Sequence, residues 1–200
     1  MSKYVDHKDG VEYINISPYG MTELGRVLSP GYIRPFETIV GKVSNMRNAM
    51  DFLTRVDYPK SFLGKTKMTS KDIEKISRLK KIYIPNYWAA VAYFLIEKVI
   101  QDEMLIAELK KLPVSTPFRS FKMVKHERHG IVNFLAEENH ELDKYLRILK
   151  TIHFKVFNNE LRYNDADLDI IKKIVNSFKV DKTKDILYGI DKEYQLEADL

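Results

Sequence analysis

Apolar and polar positions alternate tightly in VEYINI (11–16), where β-branched and aromatic residues predict a first strand closed by the turn signal SPYG. TIVGKV (38–43) has the same character and predicts a second short strand. The rhythm then changes: Met46, Ala49, Met50, Phe52 and Leu53 fall at helical intervals behind Ser44, a fitting N-cap, while Arg47, Asn48, Asp51 and Arg55 take the polar face. Thr69 and Ser70 predict the cap of a further helix, with Ile73, Ile76 and Leu79 on one side, lysines on the other, and Pro85 as its stop.

Residues 87–100, opened by Asn86, are apolar all round, which predicts a helix buried at the centre. Another helix over roughly 102–112 stops before Pro113. PFRSFKMVKHERHGIVNFL reads as an antiparallel pair turning at Glu127 to Gly130. In AEENHELDKYLRILKTI, Leu142, Tyr145, Leu146 and Leu149 share a helical register, acidic at the start and basic at the end as the helix dipole favours. Asn164, Asp165 and Asp167 precede a last helix over Leu168, Ile171, Ile174 and Val175, and the tail after Val180 is polar. No repeat or linker interrupts the chain, so the expectation is one α+β domain over 1–200, mostly helical with a few short strands.

With 44% hydrophobic residues, ten Phe and twelve Tyr, 200 residues can bury a core without staples. The absence of cysteine excludes disulfides, thiol catalysis and thiolate zinc sites, and fits a reducing cytosol. MSKYVDHKDG is charged and is followed by no apolar region, unlike a signal peptide. The longest apolar run, at 88–96, is about half of what a bilayer span needs, so a soluble protein is expected. A formal charge of +5 and a pI near 9.1 suit phosphate-bearing partners but fall short of the dense stripe of a duplex binder.

Most local motifs reduce to ordinary structure. SKDIEKISRLKK (70–81) reads as a solvated outer face, since Asp72 and Glu74 dilute its lysines. His126 and His129 have a metal-compatible spacing, but Gly130 and strand-like flanks make a turn. ENHE lacks the second histidine of a zinc HExxH signature, LGKT (63–66) lacks the glycines and leading strand of a phosphate loop, and no GxSxG occurs. TELGRVLSPGYIRPFE (22–37) stands apart. Gly25 and Gly31 permit close approach, Pro30 and Pro35 stiffen the path, and Ser29, Arg26 and Arg34 could meet a phosphate or ribose. An irregular connection between two strands accounts for the same residues equally well.

The order of INIS, TELGRVLSP, PFE and GKVS before an apolar helix resembles the phage branch of the NADAR superfamily. Its pattern is a strand, T-x-L-G-R-x-L-S-N, P-F, and S-V-E at a helix start. LPVSTPFRSFKMV is similar to the L-P-F-x-H-Y-Y-V stretch of that branch, and ENHELDKYLRILK fills the place of its closing helix, so that the resemblance covers roughly 11–150. It implies a NADAR-like fold and an N-glycosidase, needing no metal or organic cofactor, that removes ADP-ribose from guanine bases of single-stranded DNA. The implied setting is the cytoplasm of a phage-infected host, countering a DarT-type DNA ADP-ribosyltransferase. The implied chemistry breaks a C1′–N bond, using a carboxylate near the cation-like ribose and a lysine able to form a Schiff base.

Matched position by position, Gly25, Arg26, Leu28 and Ser29 fall on the family's ligand segment, whose asparagine is Pro30 here. The family glutamate falls at Arg47, or at Met46 or Asn48 with a shift of one; the nearest acid on that helix is Asp51. Lys65 and Lys67 are nearest to the family lysine, with Arg55 an alternative placement. Two accounts follow from the resemblance. In one, Asp51 or Glu37 supplies the carboxylate and Lys67 or Lys65 the amine. In the other, the protein binds an ADP-ribose-like group or modified DNA without turnover, with Arg34 and Arg47 suited to a pyrophosphate.

Overall fold

The computed structural model describes residues 7–84, 86–128, 131–162, 169, 172 and 173. Pro85, the His129–Gly130 turn, most of the helix expected from Asn164 and the tail after Val180 lie outside them. The described residues mix six α-helices with two two-stranded sheets, an α+β architecture in which helix predominates. No helix among them is long and apolar enough to cross a membrane. The chain divides into two compact units, 1–32 with 104–159, and 33–103 with 160–200.

In the first unit, β1 (Ile14–Asn15) pairs in parallel with β2 (Phe118–Arg119), Ile14 opposite Phe118. The strand expected over 11–16 is thus much shorter, because Val11 and Glu12 turn back on Lys8. Helix α1 (Glu23–Leu28) follows, with the Thr22 side chain accepting from the Gly25 N–H as its N-cap. Helix α5 spans Glu103–Lys111. The hairpin β3 (Phe121–Arg128) and β4 (Ile131–Glu138) forms as expected, Phe121 facing Glu138. Helix α6 (Asp143–Phe157) buries Tyr145, Ile148, Leu149 and Ile152. Polar groups tie α6 down: the Tyr145 hydroxyl donates to the Leu28 carbonyl at 2.8 Å, Lys150 donates to the Val114 and Thr116 carbonyls, and His153 Nε2 lies 3.1 Å from the Leu112 carbonyl.

In the second unit, helix α2 (Met46–Thr54) buries Met46, Ala49, Phe52 and Leu53 as expected, while Met50 is only half-buried and Asn48, expected on the polar face, is buried. Its cap is Asn45, whose side chain accepts from the Asn48 N–H, one residue beyond the expected Ser44. Helix α3 (Ser70–Arg78) begins with a capping box between Thr69 and Asp72. It ends at Arg78, ahead of the expected stop at Pro85, because residues 80–82 pair with the end of α2: the Val56 N–H donates to the Lys80 carbonyl and the Ile82 N–H to that of Thr54. Of its expected apolar side only Ile76 is buried, while Ile73 is exposed. Helix α4 (Tyr87–Ile100) buries Ala90, Val91, Phe94, Leu95 and Val99, as its all-round apolar character requires.

The strand expected over 38–43 does not form. Phe36 and Val43 make an isolated antiparallel bridge, and the chain between them turns at Gly41, whose φ of +105° suits glycine. The Thr38 hydroxyl donates to the Gly41 carbonyl and accepts from the Val40 N–H, so local side-chain bonding overrides the β-branched propensity.

Candidate functional site

The residues nominated from the sequence fall into both units. In the first, Gly25, Arg26, Leu28 and Ser29 lie on α1 and its C-cap. A Cβ at Gly25 would sit 2.3 Å from the Asn15 carbonyl oxygen, so the glycine lets α1 lie against β1. The Arg26 guanidinium donates to the carbonyls of Gly20 and Met21 at 2.9 and 2.8 Å. Leu28 and Ser29 are fully buried, and the Ser29 hydroxyl has no hydrogen-bond partner among the described residues. Gly31 has open space around its Cα.

In the second unit, Arg47 is exposed on α2. Asp51, one turn further, is engaged by Arg55 at 3.2 Å, and Arg55 also donates to the Leu79 carbonyl, locking α2 to the segment after α3. Tyr58 is buried beside this pair, and burial, reinforced by the Asp51 charge, pushes its hydroxyl far above the ordinary range. Lys65 pairs with Asp72 at 2.6 Å; that bond and those from Thr69 hold the carboxyl at about 2. Lys67 is exposed, and Glu37 is exposed with its backbone held by Gln101. Neither pairing of the first account, Asp51 or Glu37 with Lys67 or Lys65, is a contact in the structure.

Asn48, one alternative for the family glutamate, is buried and structural. Its amide donates to the Ser44 hydroxyl and the Phe62 carbonyl, both at 2.9 Å, and to the Leu63 and Lys65 carbonyls at 3.3 Å. Replacing Asn48 by Ala removes one buried donor from four acceptors that each keep another, Asn45 Nδ2 on the Ser44 hydroxyl, the Lys65 N–H on Phe62, the Ser44 N–H on Leu63 and the Ser44 hydroxyl on Lys65, and is expected to cost about 1–2 kcal/mol in chemical denaturation. A midpoint equal to that of the native chain would refute this role.

The group that the sequence reading missed is Lys98. It lies on α4 at 1% exposure, and burial lowers its amine from the usual lysine range to about 7, with Asp102 opposing the shift and Arg34 adding to it. Arg34 donates to Asp102 at 2.8 Å and forms an ion pair with it, while its own side chain stays 37% exposed. Residues 34–39 are fastened along α4 beside this cluster. Gln101 bonds the backbone of Glu37 in both directions at 2.8 Å, and the Tyr93 hydroxyl accepts from the Ile39 N–H at 3.1 Å. The sequence held one signal for Lys98: a lysine inside a helix apolar on every side has no wet face to occupy.

Chemically, a lysine with its amine near 7 is largely unprotonated in mildly alkaline solution, the nucleophilic form of the group. The adjacent carboxylate can accept or return a proton, and the partly exposed guanidinium can meet an anion. No family profile, curated protein or solved structure matches the chain.

Proposed function

We propose that the protein is an N-glycosidase of NADAR-like type that removes ADP-ribose from guanine in single-stranded DNA, a phage activity directed against a host DarT-type ADP-ribosyltransferase. The family resemblance motivates the substrate. The observation that carries the chemistry is the buried Lys98 amine beside Asp102 and Arg34. In this reading the amine comes from Lys98 in place of Lys65 or Lys67, and the carboxylate from Asp102 in place of Asp51 or Glu37.

The neutral Lys98 amine attacks C1′, and the electron pair of the C1′–N bond leaves with the base. Asp102 takes the proton released by the amine and passes it to the departing base nitrogen. Ring opening gives an imine at C1′, which water hydrolyses to release ADP-ribose and regenerate the amine. Arg34 supplies a cation for the pyrophosphate, and Arg47, exposed and without a carboxylate partner among the described residues, supplies another. Lys98 is 1% exposed, so a substrate reaches it only when the residues that cover it move aside.

The test is incubation with an oligonucleotide carrying ADP-ribose on guanine, with borohydride added to a parallel sample. Return of unmodified DNA, together with an ADP-ribosyl adduct reduced onto the Lys98 peptide, is expected. Intact substrate and no trapped adduct would refute the glycosidase. The near-complete enclosure of Lys98 favours a second reading, a binder of ADP-ribose-like groups or modified DNA without turnover; retention of the intact adduct by the protein would select it.

A further inference from the structure

Residues 58–83 carry eight Lys and Arg against two acids, a surplus of six where the whole chain has a net charge of five. The rest of the protein is therefore close to neutral, and its basic character belongs to one segment of the second unit. Lys65 is engaged by Asp72 and Arg78 by Glu74. Lys60, Lys67, Lys71, Lys75, Lys80 and Lys81 are all exposed, and none has a carboxylate partner among the described residues.

Their placement is fixed by the fold. Lys71, Lys75 and Arg78 recur at one-turn intervals on α3, and the stable cap at Thr69 and Asp72 sets where that row begins. Lys75 and Lys65 both stand over the Phe62 ring, at 5.7 and 5.1 Å, which joins the Lys60–Phe62 turn to the helix. Lys80 and Lys81 follow α3 on the segment bonded to the end of α2. Two residues beyond Lys81, the Tyr83 ring is 85% exposed, and Ile73 is 58% exposed among the lysines.

We propose that this face, from Lys60 through α3 to Tyr83, binds a single-stranded nucleic acid, the lysines meeting phosphates and Tyr83 stacking on a base. A row of unpaired cations matches a polyphosphate backbone, and an exposed planar ring offers what an unpaired base needs and a duplex withholds. A lipid surface is the poorer match, because α3 exposes Ile73 among charges and has no continuous apolar face. The proposal deepens the function given above by locating the strand. It is read by binding alone, so either can fail without the other.

Fluorescence anisotropy of the full chain with labelled oligo(dT), over a range of salt, provides the test. Binding should weaken as salt rises. The double change Lys71→Glu with Lys75→Glu should lower affinity more than tenfold and flatten the salt slope by about 1.4, the contribution of two single-strand phosphate contacts. Tyr83→Ala should lower affinity at least fivefold at constant slope. Lys110→Glu with Lys111→Glu on α5, a change of the same net charge, should leave binding unaltered. Equal losses in the two double variants, equal affinity for a duplex of the same length, or no salt-dependent binding would each overturn the proposal.

Discussion

Lys98→Met is expected to abolish release of ADP-ribose, by at least about a thousandfold, while making the protein harder to unfold. The two effects have one cause. Burial lowers the amine to about 7, so near neutral pH the folded state holds a proton less readily than the unfolded chain. Between the folded value and the unperturbed one near 10.5 the unfolded state binds more protons, and stability therefore rises with pH across that window. At pH 7 the buried lysine costs on the order of a few kcal/mol, which an isosteric apolar chain recovers. Denaturation of both forms at pH 7 and 9 would show the native chain gaining stability with pH and Lys98→Met lacking the gain. A variant that is less stable and still active would dismiss Lys98 as a nucleophile and as a strained charge together. Three other groups bound the profile. His153 is buried in its neutral form with its value lowered, so stability falls as pH drops through 6.5. Tyr87 and Tyr93, both pushed up to about 12 by burial first of all, withdraw stability once unfolded tyrosines begin to ionise near pH 10.

Gly25→Ala is expected to cost about 3 kcal/mol or more, because the added methyl would sit 2.3 Å from the Asn15 carbonyl oxygen and 2.8 Å from the Thr22 hydroxyl. The first of these is backbone, so α1 must move off β1 to relieve it. The Thr22 cap and the Tyr145 bond to Leu28 both depend on where α1 lies. Thermal unfolding should show a midpoint lower by roughly 10 °C or more. Gly31→Ala, in open surroundings, should be near neutral. The pair of variants separates packing from ligand contact: an unchanged midpoint for Gly25→Ala, with lost nucleotide binding, would restore the glycine to a ligand role.

How much of this was legible in the sequence depended on whether one rule acted alone. Helices α2 and α4 follow from the spacing of Met46, Ala49, Phe52 and Leu53 and from the uninterrupted apolar stretch of 87–100, since burial and helical period agree there. The hairpin of β3 and β4 follows in the same way from alternation on both sides of a turn. TIVGKV misled because β-branched residues met a threonine and a glycine whose local bonding favours a turn. The stop at Pro85 misled because the end of α3 is set by pairing between residues 54–56 and 80–82, a tertiary contact that no local signal announces. The candidate site was legible only in part. Arg34 was singled out among the arginines, whereas Asp102 and Lys98 went unremarked: their meaning lies in enclosure, which composition does not reveal.

The parallel pairing of β1 with β2 has a consequence for synthesis. The Ser120 hydroxyl reaches the Ile16 carbonyl across 104 positions, so the amino-terminal strand emerges from the ribosome long before its partner exists. Closing so large a loop adds an entropic cost that local helical contacts do not bear. Residues 33–103, which supply α2, α3 and α4, are translated in the interval. The nascent chain thus carries β1 unpaired until β2 has been made, and a ribosome that stalls between the two leaves that edge open to other chains.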